Sequence, residues 1–413
     1  MSYSDSSTFS IVVSAPGGVA TYGFTGTSMT MEGFESARAF DDIQVRNGMF
    51  IEQGGNNHSY ENNNGIRYYD PATNTTGYIE PWLKSAPFVQ GSSDPNTILL
   101  GLWPNGYVMK NQYIYTHDNN HQMWLPSVDK LVDLSGTGGI YDFATSQWTH
   151  GGAPPFVDQP TYINSSGVVT SPGVRIDPNT DKTAYIDMDA VAISAWGSGQ
   201  HFYDGFRAYV PDLTMGIWIG GGTGGGGYYI GVLKENPAYP ETSTKPWIAR
   251  CMGALEGVFP FRAWSRTLSN GVVFDGTKIF IGGGLTRNHS ETNYDCYVID
   301  VAPCKTMQLP TVLSHYSGVL SGFPVDMGMC HWVLDTTRNR VIKVGRKVLA
   351  WSLDTEGPWV DISPSDWGYG FAWTKAMYYA AHDRIYFKGS KITNASDVTE
   401  TSSLYGKMYY IAF

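Results

Sequence analysis

Short segments of branched and aromatic residues, each followed by a turn, recur along the chain. In "GFRAYVPDLTMGIWIGGG", from Gly205, and "GVVFDGTKIFIGGG", from Gly271, an apolar strand, a polar turn and a second apolar strand lead into glycines. "FDDIQVRNGMFIEQGG", from Phe40, repeats this order with Asn47-Gly48 at the turn, the dipeptide that best tolerates the positive φ angles of a tight hairpin. The pattern predicts β-hairpins rather than helices.

Weaker copies of the same plan occur in the rest of the chain. They begin at Gly106, Gly139, Gly173, Trp332 and Tyr378. The predicted second strands of all eight copies are centred on Phe50, Ile114, Trp148, Tyr185, Trp218, Phe280, Ile342 and Tyr386. Their average spacing of about 48 residues is close to the roughly 50 residues of a repeat that builds one four-stranded blade.

A second pair of strands follows several of the hairpins. Examples are "GIRYYDPATNTTGYIEPW" from Gly65, "MWLPSVDKLVDL" from Met123 and "CYVIDVAPCKTMQL" from Cys296. Each repeat therefore predicts four antiparallel strands. The strongest second strands, Ile217 to Ile219 and Ile279 to Ile281, are apolar at every position, which indicates strands that are buried on both faces.

Burial on both faces favours one all-β architecture over another. A two-sheet sandwich leaves one face of each sheet in water, whereas a β-propeller covers every blade with the blades before and behind it. The sequence therefore predicts an all-β fold, a β-propeller of four-stranded antiparallel blades. Seven blades fit the spacing best, and its spread leaves six to eight open.

The glycine run between Gly220 and Gly227 raises the question of a phosphate site. Gly220, Gly222 and Gly225 satisfy a G-x-G-x-x-G pattern, which in dinucleotide-binding proteins follows a strand and opens a helix. Here the next residues, "YYIGV" from Tyr228, are β-branched and aromatic, so the helix is missing. We expect the run to connect the second and third strands of one blade.

These features resemble the kelch or galactose-oxidase type of β-propeller. The resemblance rests on paired glycines after second strands, at Gly54-Gly55, Gly220 to Gly222 and Gly282 to Gly284. It also rests on a third-strand tyrosine before an Asp-containing turn, as in Tyr69-Asp70-Pro71 and in Tyr297 before Asp300. "YDFATSQW", from Tyr141, carries the same tyrosine together with the tryptophan of that family, in a segment whose hydrophobic pattern predicts a first hairpin.

The chain ends are expected to close the ring. The C-terminal "YGKMYYIAF" predicts a strand, and "TFSIVVSA", from Thr8, is its expected partner, because an unpaired edge strand invites aggregation. We therefore divide the chain into residues 1–35, an N-terminal arm with a ring-closing strand, and residues 36–413, a single propeller domain.

Composition and charge narrow the range of partners. The net charge of −10 and the pI of about 5.3 give no electrostatic footprint for nucleic acid or an anionic membrane. Neither a signal peptide nor an apolar run of membrane-spanning length is recognisable, and the expected setting is a virion or solution. The four cysteines show no metal-ligand spacing and are expected to be free and buried.

Motifs that could hold a metal ion are weak. Asp177, Asn179 and Asp181 occupy the alternate positions with which a calcium loop begins, but Lys182 replaces the glycine and Met188 the bidentate glutamate of such a loop. The three residues are calcium candidates, with an ordinary hairpin turn as the alternative. His117 and His121 lack the glutamate and the helix of a zinc motif. The tyrosines that flank Cys296 resemble part of a galactose-oxidase copper site, without the histidines.

No catalytic constellation is recognisable, and this shapes the functional hypothesis. We expect no catalytic residues and no cofactor other than the candidate calcium. The leading hypothesis is a non-catalytic structural or recognition subunit of an oligomeric assembly, by analogy a phage virion or tail component, with protein subunits and surface glycans as partners. For aromatic residues in predicted loops, such as Tyr60, Trp103, Trp247 and Trp264, the sequence leaves two roles open: sugar-stacking or protein-contact surfaces, and packing between blades. The alternative is a carbohydrate-active or oxidase enzyme with its site at the mouth of the central channel.

Overall fold

The described part of the chain consists mainly of short strands, and all the strand pairs but one are antiparallel. The structure is a computed structural model that describes residues 20–28, 42–53, 66–80, 100–102, 108–110, 122–133, 139–150, 186–190, 192, 206–221, 228–254, 267–284, 292–324, 330–392 and 407–413. Short 3-10 helices occur at Pro211–Leu213, Ala302–Thr306 and Ala380–His382.

The strands of the first half of the chain form three groups. The first group is β1 (Thr21–Ser28), β2 (Asp42–Arg46), β3 (Met49–Gln53), β4 (Ile66–Asp70) and β5 (Thr75–Glu80). The second is β6 (Leu100–Leu102), β7 (Val108–Lys110), β8 (Gln122–Leu125), β9 (Lys130–Asp133), β10 (Gly139–Asp142) and β11 (Gln147–His150). The third is β12 (Ile186–Met188), β13 (Phe206–Val210), β14 (Met215–Gly221), β15 (Tyr228–Glu235) and β16 (Trp247–Ala254).

The second half continues with three further groups. They are β17 (Thr267–Asp275), β18 (Lys278–Gly284), β19 (Cys296–Asp300) and β20 (Thr311–Tyr316); then β21 (His331–Asp335), β22 (Arg340–Val344), β23 (Val348–Ser352) and β24 (Val360–Asp361); and finally β25 (Phe371–Tyr379), β26 (Arg384–Lys391) and β27 (Lys407–Ala412).

These strands assemble into a β-propeller with six blades among the described residues. Blade 1 is β2 to β5, blade 2 is β8 to β11, blade 3 is β13 to β16 with β12 added in parallel outside β16, blade 4 is β17 to β20, blade 5 is β21 to β24, and blade 6 is β25 to β27 with β1 outermost. The innermost strands of successive blades contact each other from β2 through β8, β13, β17 and β21 to β25.

A hydrophobic cluster fills each of the six interfaces between neighbouring blades. Representative buried residues, in ring order from the blade 1–2 interface, are Tyr141, Trp218, Ile281, Trp351, Phe387 and Met408. Ile217, Ile219, Ile279 and Ile281 are fully buried. The prediction that second strands are covered on both faces is confirmed, because each blade packs against two others.

The prediction of seven blades is wrong, because three weak repeats are not separate blades. The copy from Gly106 includes β7, which pairs with β6 in a two-stranded sheet, and blade 1 contacts blade 2 directly through β2 and β8. The copy from Gly139 forms β10 and β11, the outer half of the blade whose inner half is β8 and β9. The copy from Gly173 contributes β12, a fifth strand on blade 3.

The two chain ends meet in blade 6, as expected. β1 pairs antiparallel with β27 from Thr21 opposite Ala412 onward, and β27 pairs in turn with β26. The strand is not the one predicted: it is Thr21–Ser28, whereas "TFSIVVSA" from Thr8 lies outside the described residues. β1 also contacts β5, so the last blade is held against the first. The division at residue 35 stays a prediction.

Two local predictions can be followed in the backbone. Asn47 and Gly48 have φ angles of 51° and 78° in the turn between β2 and β3, as the hairpin pattern requires. β14 pairs with β15 up to Gly221 opposite Tyr228, so the glycine run leads from the second to the third strand of blade 3. Residues 222–227 themselves lie outside the described part.

The cysteines are all free and buried, as predicted. Burial raises the pKa of Cys296, Cys304 and Cys330 to about 12 in each case. Since the thiolate is the reactive form, these side chains behave as small apolar groups at neutral pH.

A buried lysine in blade 5 gives the stability a pH dependence. Burial lowers the pKa of Lys343 to about 7, so near neutral pH the unfolded chain binds a proton more strongly than the folded one. Stability is therefore lost as the pH falls from about 10 through 7. We expect Lys343→Met to stabilise the fold at pH 7 by about 2 kcal/mol and to flatten this dependence, measured by urea unfolding at several pH values. Lys305→Met, at an exposed lysine, should change neither the free energy of unfolding at pH 7 nor its dependence on pH.

Candidate functional site

A groove opens between blades 4 and 5, at the end of the propeller where their first and second strands are joined. Its cavity volume is about 520 Å³. We call it the blade 4–5 groove, and its lining residues are Phe274, Asp275, Lys278, Val298, Leu313, Ser314, Tyr316, Asn339, Trp351, Leu353 and Glu356. The β17–β18 turn and strands β19 and β20 form one wall, and the β21–β22 turn with the end of β23 forms the other.

The floor of the groove is aromatic and firmly held. Trp351 is 2% exposed, and its ring meets Tyr316 edge to face at a centroid distance of 5.0 Å. Behind them, Phe280 packs within 6.0 Å of Trp332, Trp351 and Trp359. Because these rings are wedged between two sheets, the floor of the groove is preformed.

Polar groups stand along the rim of the same groove. The Tyr316 hydroxyl donates to Glu356 Oε2 at 2.8 Å, and the Lys278 ammonium lies 2.6 Å from Asp275 Oδ2. Burial and the Glu356 carboxylate raise the pKa of Tyr316, so it remains a hydroxyl donor at physiological pH. The Asn339 amide donates to Asp354 across the neighbouring turn. The rim therefore offers carboxylate acceptors beside hydroxyl, amide and ammonium donors.

Sequence reasoning did not single out this groove. Neither Trp351 nor Glu356 belongs to a motif that the sequence analysis identified. Blade 4 and blade 5 supply the two walls from positions as far apart as Phe274 and Glu356, so the grouping depends on how the blades pack. The one sequence signal was the excess of aromatic residues, 14% of the chain.

A second polar cluster lies at the innermost strands. His331 on β21 reaches the backbone of β25, with Nδ1 2.7 Å from the Ala376 carbonyl oxygen and 2.9 Å from its amide nitrogen. The charges of Lys375 on β25 and of Arg207 on β13 both act on this imidazole. Together with burial, the largest cause, they lower the pKa of His331 to about 3, so the ring is neutral.

A third cluster, on the outer part of blade 4, lacks the geometry of a catalytic triad. Asp295 Oδ2 lies 2.8 Å from His315 Nε2 and accepts a hydrogen bond from Tyr297 at 3.2 Å, and the Tyr297 and His315 rings stack with centroids 4.6 Å apart. Ser317 donates to Asp295 at 3.4 Å, so its hydroxyl is directed at the carboxylate. A nucleophilic serine must instead contact the imidazole. We assign this cluster to fixing the loop before Gly318.

The structure does not describe the residues that the sequence proposed as metal ligands. Asp177, Asn179 and Asp181, and also His117 and His121, lie outside the described residues. Within the ranges that the structure describes, no group of three or more His, Cys, Asp or Glu side chains could hold a metal ion. The calcium assignment stays a prediction.

The structure decides the role of one of the four aromatic residues in predicted loops. Trp247 begins β16 and is 5% exposed, packed in the cluster between blades 2 and 3, so it packs between blades and does not form a contact surface. Tyr60, Trp103 and Trp264 lie outside the described residues. Among the helices of the described part, none is long and apolar enough to cross a membrane.

Comparisons with known proteins identify no family for the chain. No family model and no curated protein matches the chain. Among solved structures, a luciferin-regenerating enzyme aligns with a TM-score of 0.44 and 8% identity, covering 95% of each chain. PorZ, a surface component of the type-IX secretion system of Porphyromonas gingivalis, aligns with a TM-score of 0.42 and 9% identity, over 89% of this chain and 46% of that one. Likenesses of this strength carry no argument about function.

Proposed function

We propose that this protein is a non-catalytic recognition subunit of a larger assembly and that the blade 4–5 groove binds a carbohydrate. The observation that carries the proposal is the composition of the groove: Tyr316 and Trp351 at its floor, and hydrogen-bond donors and acceptors on its rim. Sugars combine apolar C–H faces with many hydroxyl groups, and a cleft of this size suits a few sugar rings.

Three features of the groove suit reversible recognition. Trp351 is held by neighbouring rings, so little side-chain freedom is lost when a ligand binds. Glu356 and Tyr316 already form a hydrogen bond, which orients the carboxylate toward hydroxyl donors. Leu313 stands 48% exposed at the rim, where it can cover an apolar edge of the ligand.

The assembly part of the proposal rests on the surface and on composition. The loop between β15 and β16 is fixed by Asn236, whose side-chain amide nitrogen donates to Ser243 and to the Lys245 carbonyl oxygen. It holds Tyr239 48% exposed, and rigid exposed tyrosines are frequent at protein interfaces. We propose a phage virion or tail part as the setting, by analogy with the Asn-, Gly- and Tyr-rich composition of such proteins.

The type of propeller remains a proposal as well. We propose the kelch or galactose-oxidase type, supported by the paired glycines Gly282-Gly283 at the end of β18 and by third-strand tyrosines at Tyr69, Tyr141 and Tyr297. The alternative is a carbohydrate-active or oxidase enzyme with its site at the mouth of the central channel, where glycoside hydrolysis would require a pair of carboxyl groups.

Binding to an array of neutral, sialylated and sulfated oligosaccharides tests the proposal. We expect a subset of glycans to bind, and Glu356→Gln to weaken the best of them about tenfold in calorimetry, because it removes a charged hydrogen-bond acceptor. Glu241→Gln, at an exposed glutamate of blade 3, is the matched control and should bind as the unmodified protein does.

Two results would contradict the proposal. One is an array on which no glycan binds, and the other is glycan binding that Glu356→Gln and Glu241→Gln leave equally strong. The assembly part has its own readout in the same preparation, since mass photometry should show a discrete oligomer. A monomer across the accessible concentrations would speak against self-assembly.

A further inference from the structure

The charged side chains in the lining of the blade 4–5 groove leave a net negative charge. Asp275 and Lys278 belong to the wall from blade 4, and Glu356 belongs to the wall from blade 5. The Lys278 ammonium lies 2.6 Å from Asp275 Oδ2, so these two charges offset each other. The charge that remains in the lining is the carboxylate of Glu356.

Glu356 is accessible and has no cationic partner within the described part of the chain. Its Oε2 accepts a hydrogen bond from the Tyr316 hydroxyl at 2.8 Å. A hydroxyl donor orients the carboxylate but does not neutralise its charge. The Glu356 carboxylate can therefore still form an ion pair with a cation that enters the groove.

Two carboxylates beside the groove add to this negative charge. Asp300 lies directly opposite Lys278 in the β18–β19 pair. Asp354, two residues before Glu356, accepts a hydrogen bond from the Asn339 amide on the other side of its turn. Among the residues that the structure describes, neither carboxylate forms an ion pair. The surroundings of the groove therefore have the same sign of charge as its lining.

The arginine next to the groove is held by carboxylates of its own. Arg338 precedes Asn339 in the β21–β22 turn, and its guanidinium contacts Asp383 of blade 6 at 2.7 and 2.5 Å. It also contacts Asp335 Oδ2 at 3.2 Å. These two carboxylates offset the charge of Arg338, so this arginine does not compensate Glu356.

A negative groove distinguishes carbohydrates by their charge. An acidic sugar would bring a carboxylate or a sulfate close to Glu356, and like charges across an interface oppose binding. The cationic group of a carbohydrate is the ammonium of an amino sugar. A hydrogen bond between an ammonium and a carboxylate is roughly twice as strong as one between neutral groups. The charge of the groove therefore favours amino sugars over neutral and acidic ones.

We propose that the blade 4–5 groove prefers oligosaccharides whose rings carry a free ammonium group and that the Glu356 carboxylate binds this ammonium. The inference rests on the carbohydrate recognition proposed above and adds the charge of the ligand to it. Leu313 is 48% exposed on the opposite wall, where it can contact the C–H face of the same sugar. The groove thus offers an apolar contact and a counter-charge to one ligand.

Calorimetry with two oligosaccharides that share one backbone tests the inference. The probes are a short oligomer of glucosamine and the N-acetylglucosamine oligomer of the same length, at about pH 6, where the free amine is protonated. We expect the glucosamine oligomer to bind about tenfold more tightly. This preference should shrink as the salt concentration rises, because salt screens charges at an accessible site. The affinity for the N-acetylated oligomer should change little with salt.

Two variants change the charge of the groove in opposite directions. Glu356→Gln removes the remaining negative charge and should reduce the preference to less than about threefold. Lys278→Met leaves Asp275 without its counter-charge and should increase the preference. The matched control is Lys130→Met on blade 2, at a lysine that lies 2.7 Å from the carboxylate of Asp142. This control should leave the preference unchanged.

The outcomes separate this inference from the function on which it rests. If the two oligomers bind equally well, or the N-acetylated one binds more tightly, the inference is wrong and carbohydrate recognition stands. A preference that both Glu356→Gln and Lys278→Met leave unchanged also overturns the inference, because the charge of the groove is then not its cause. If neither these oligomers nor any other glycan binds, the proposed function itself is wrong.

The salt series on the unmodified protein decides the question if a variant does not fold. A preference for the glucosamine oligomer that falls with salt supports an ionic contact. A preference that is the same at low and high salt contradicts it, since the contact would then not depend on the charge of Glu356.

Discussion

Replacing Asp335 with alanine is expected to destabilise the propeller by about 3 to 5 kcal/mol. The carboxylate of Asp335 is fully buried at the end of β21, where Oδ2 accepts from Arg340 Nε at 2.8 Å and from Arg338 Nη1 at 3.2 Å. Oδ1 accepts from the amide of Thr337 at 3.1 Å. The substitution removes the counter-charge of Arg340, which is 1% exposed, and the cost of breaking a buried ion pair is of this size.

The effect should extend beyond blade 5. Arg338 also binds Asp383 of blade 6, with two contacts of 2.7 and 2.5 Å, and Arg340 lies 4.4 Å from the centre of the Phe413 ring at the end of the chain. Asp335 thus orients cations that join the last two blades. Asp354→Ala, in the next exposed turn, is the control and should cost less than about 1 kcal/mol. Urea unfolding measures both, and equal losses would contradict the expectation.

The strands that were predicted well are those whose signal is local. Phe50, Trp218, Phe280, Ile342 and Tyr386 all lie on the second strand of a blade, as the apolar runs and turn residues indicated. Such runs are easy to recognise, because a strand that is covered on both faces in the folded protein is apolar at every position. The glycine run after Trp218 was correctly interpreted as a connection between adjacent strands, since no helix pattern follows it.

The predicted number of blades was wrong because the sequence of a strand does not show whether it is an inner or an outer strand of its blade. "YDFATSQW", from Tyr141, has the hydrophobic pattern of a first hairpin but forms the outer pair of blade 2. Its tyrosine and the Asp142 turn match the outer-strand motif, and this motif predicted the position of the segment better than the hydrophobic pattern did. In the structure, Asp142 Oδ1 accepts a hydrogen bond from the amide of Ala144, which fixes the turn. Contacts with other blades decide which strand is innermost, and the local sequence does not show these contacts.

The candidate sites were still less predictable than the blades. Asp275 and Glu356 are ordinary turn residues when each is considered alone, and they line one groove only because blades 4 and 5 are neighbours. Sequence patterns describe a blade, whereas the groove arises between two blades.

The second large effect is expected at the paired glycines of β18. Gly282→Val should destabilise the protein by about 3 kcal/mol, because a Cβ at this position would lie 2.5 Å from the Asp295 carbonyl oxygen and 2.7 Å from the Cys296 Cα. Both atoms are backbone, so relief requires β18 and β19 to separate. Valine otherwise favours strands, and a loss of stability would therefore be steric in origin.

A glycine with a different constraint provides the control. Gly322 has a φ of 93° and nothing within 4 Å of an added Cβ, so Gly322→Ala reports the conformational penalty alone, expected at about 1 kcal/mol. Gly282→Ala should lie between the two variants, because its single methyl group already meets the backbone of β19. Thermal and urea unfolding would rank the three. If Gly282→Val unfolds at the same urea concentration as the unmodified protein, the glycine is not required for close approach of the strands, and the repeated glycine pairs need another explanation.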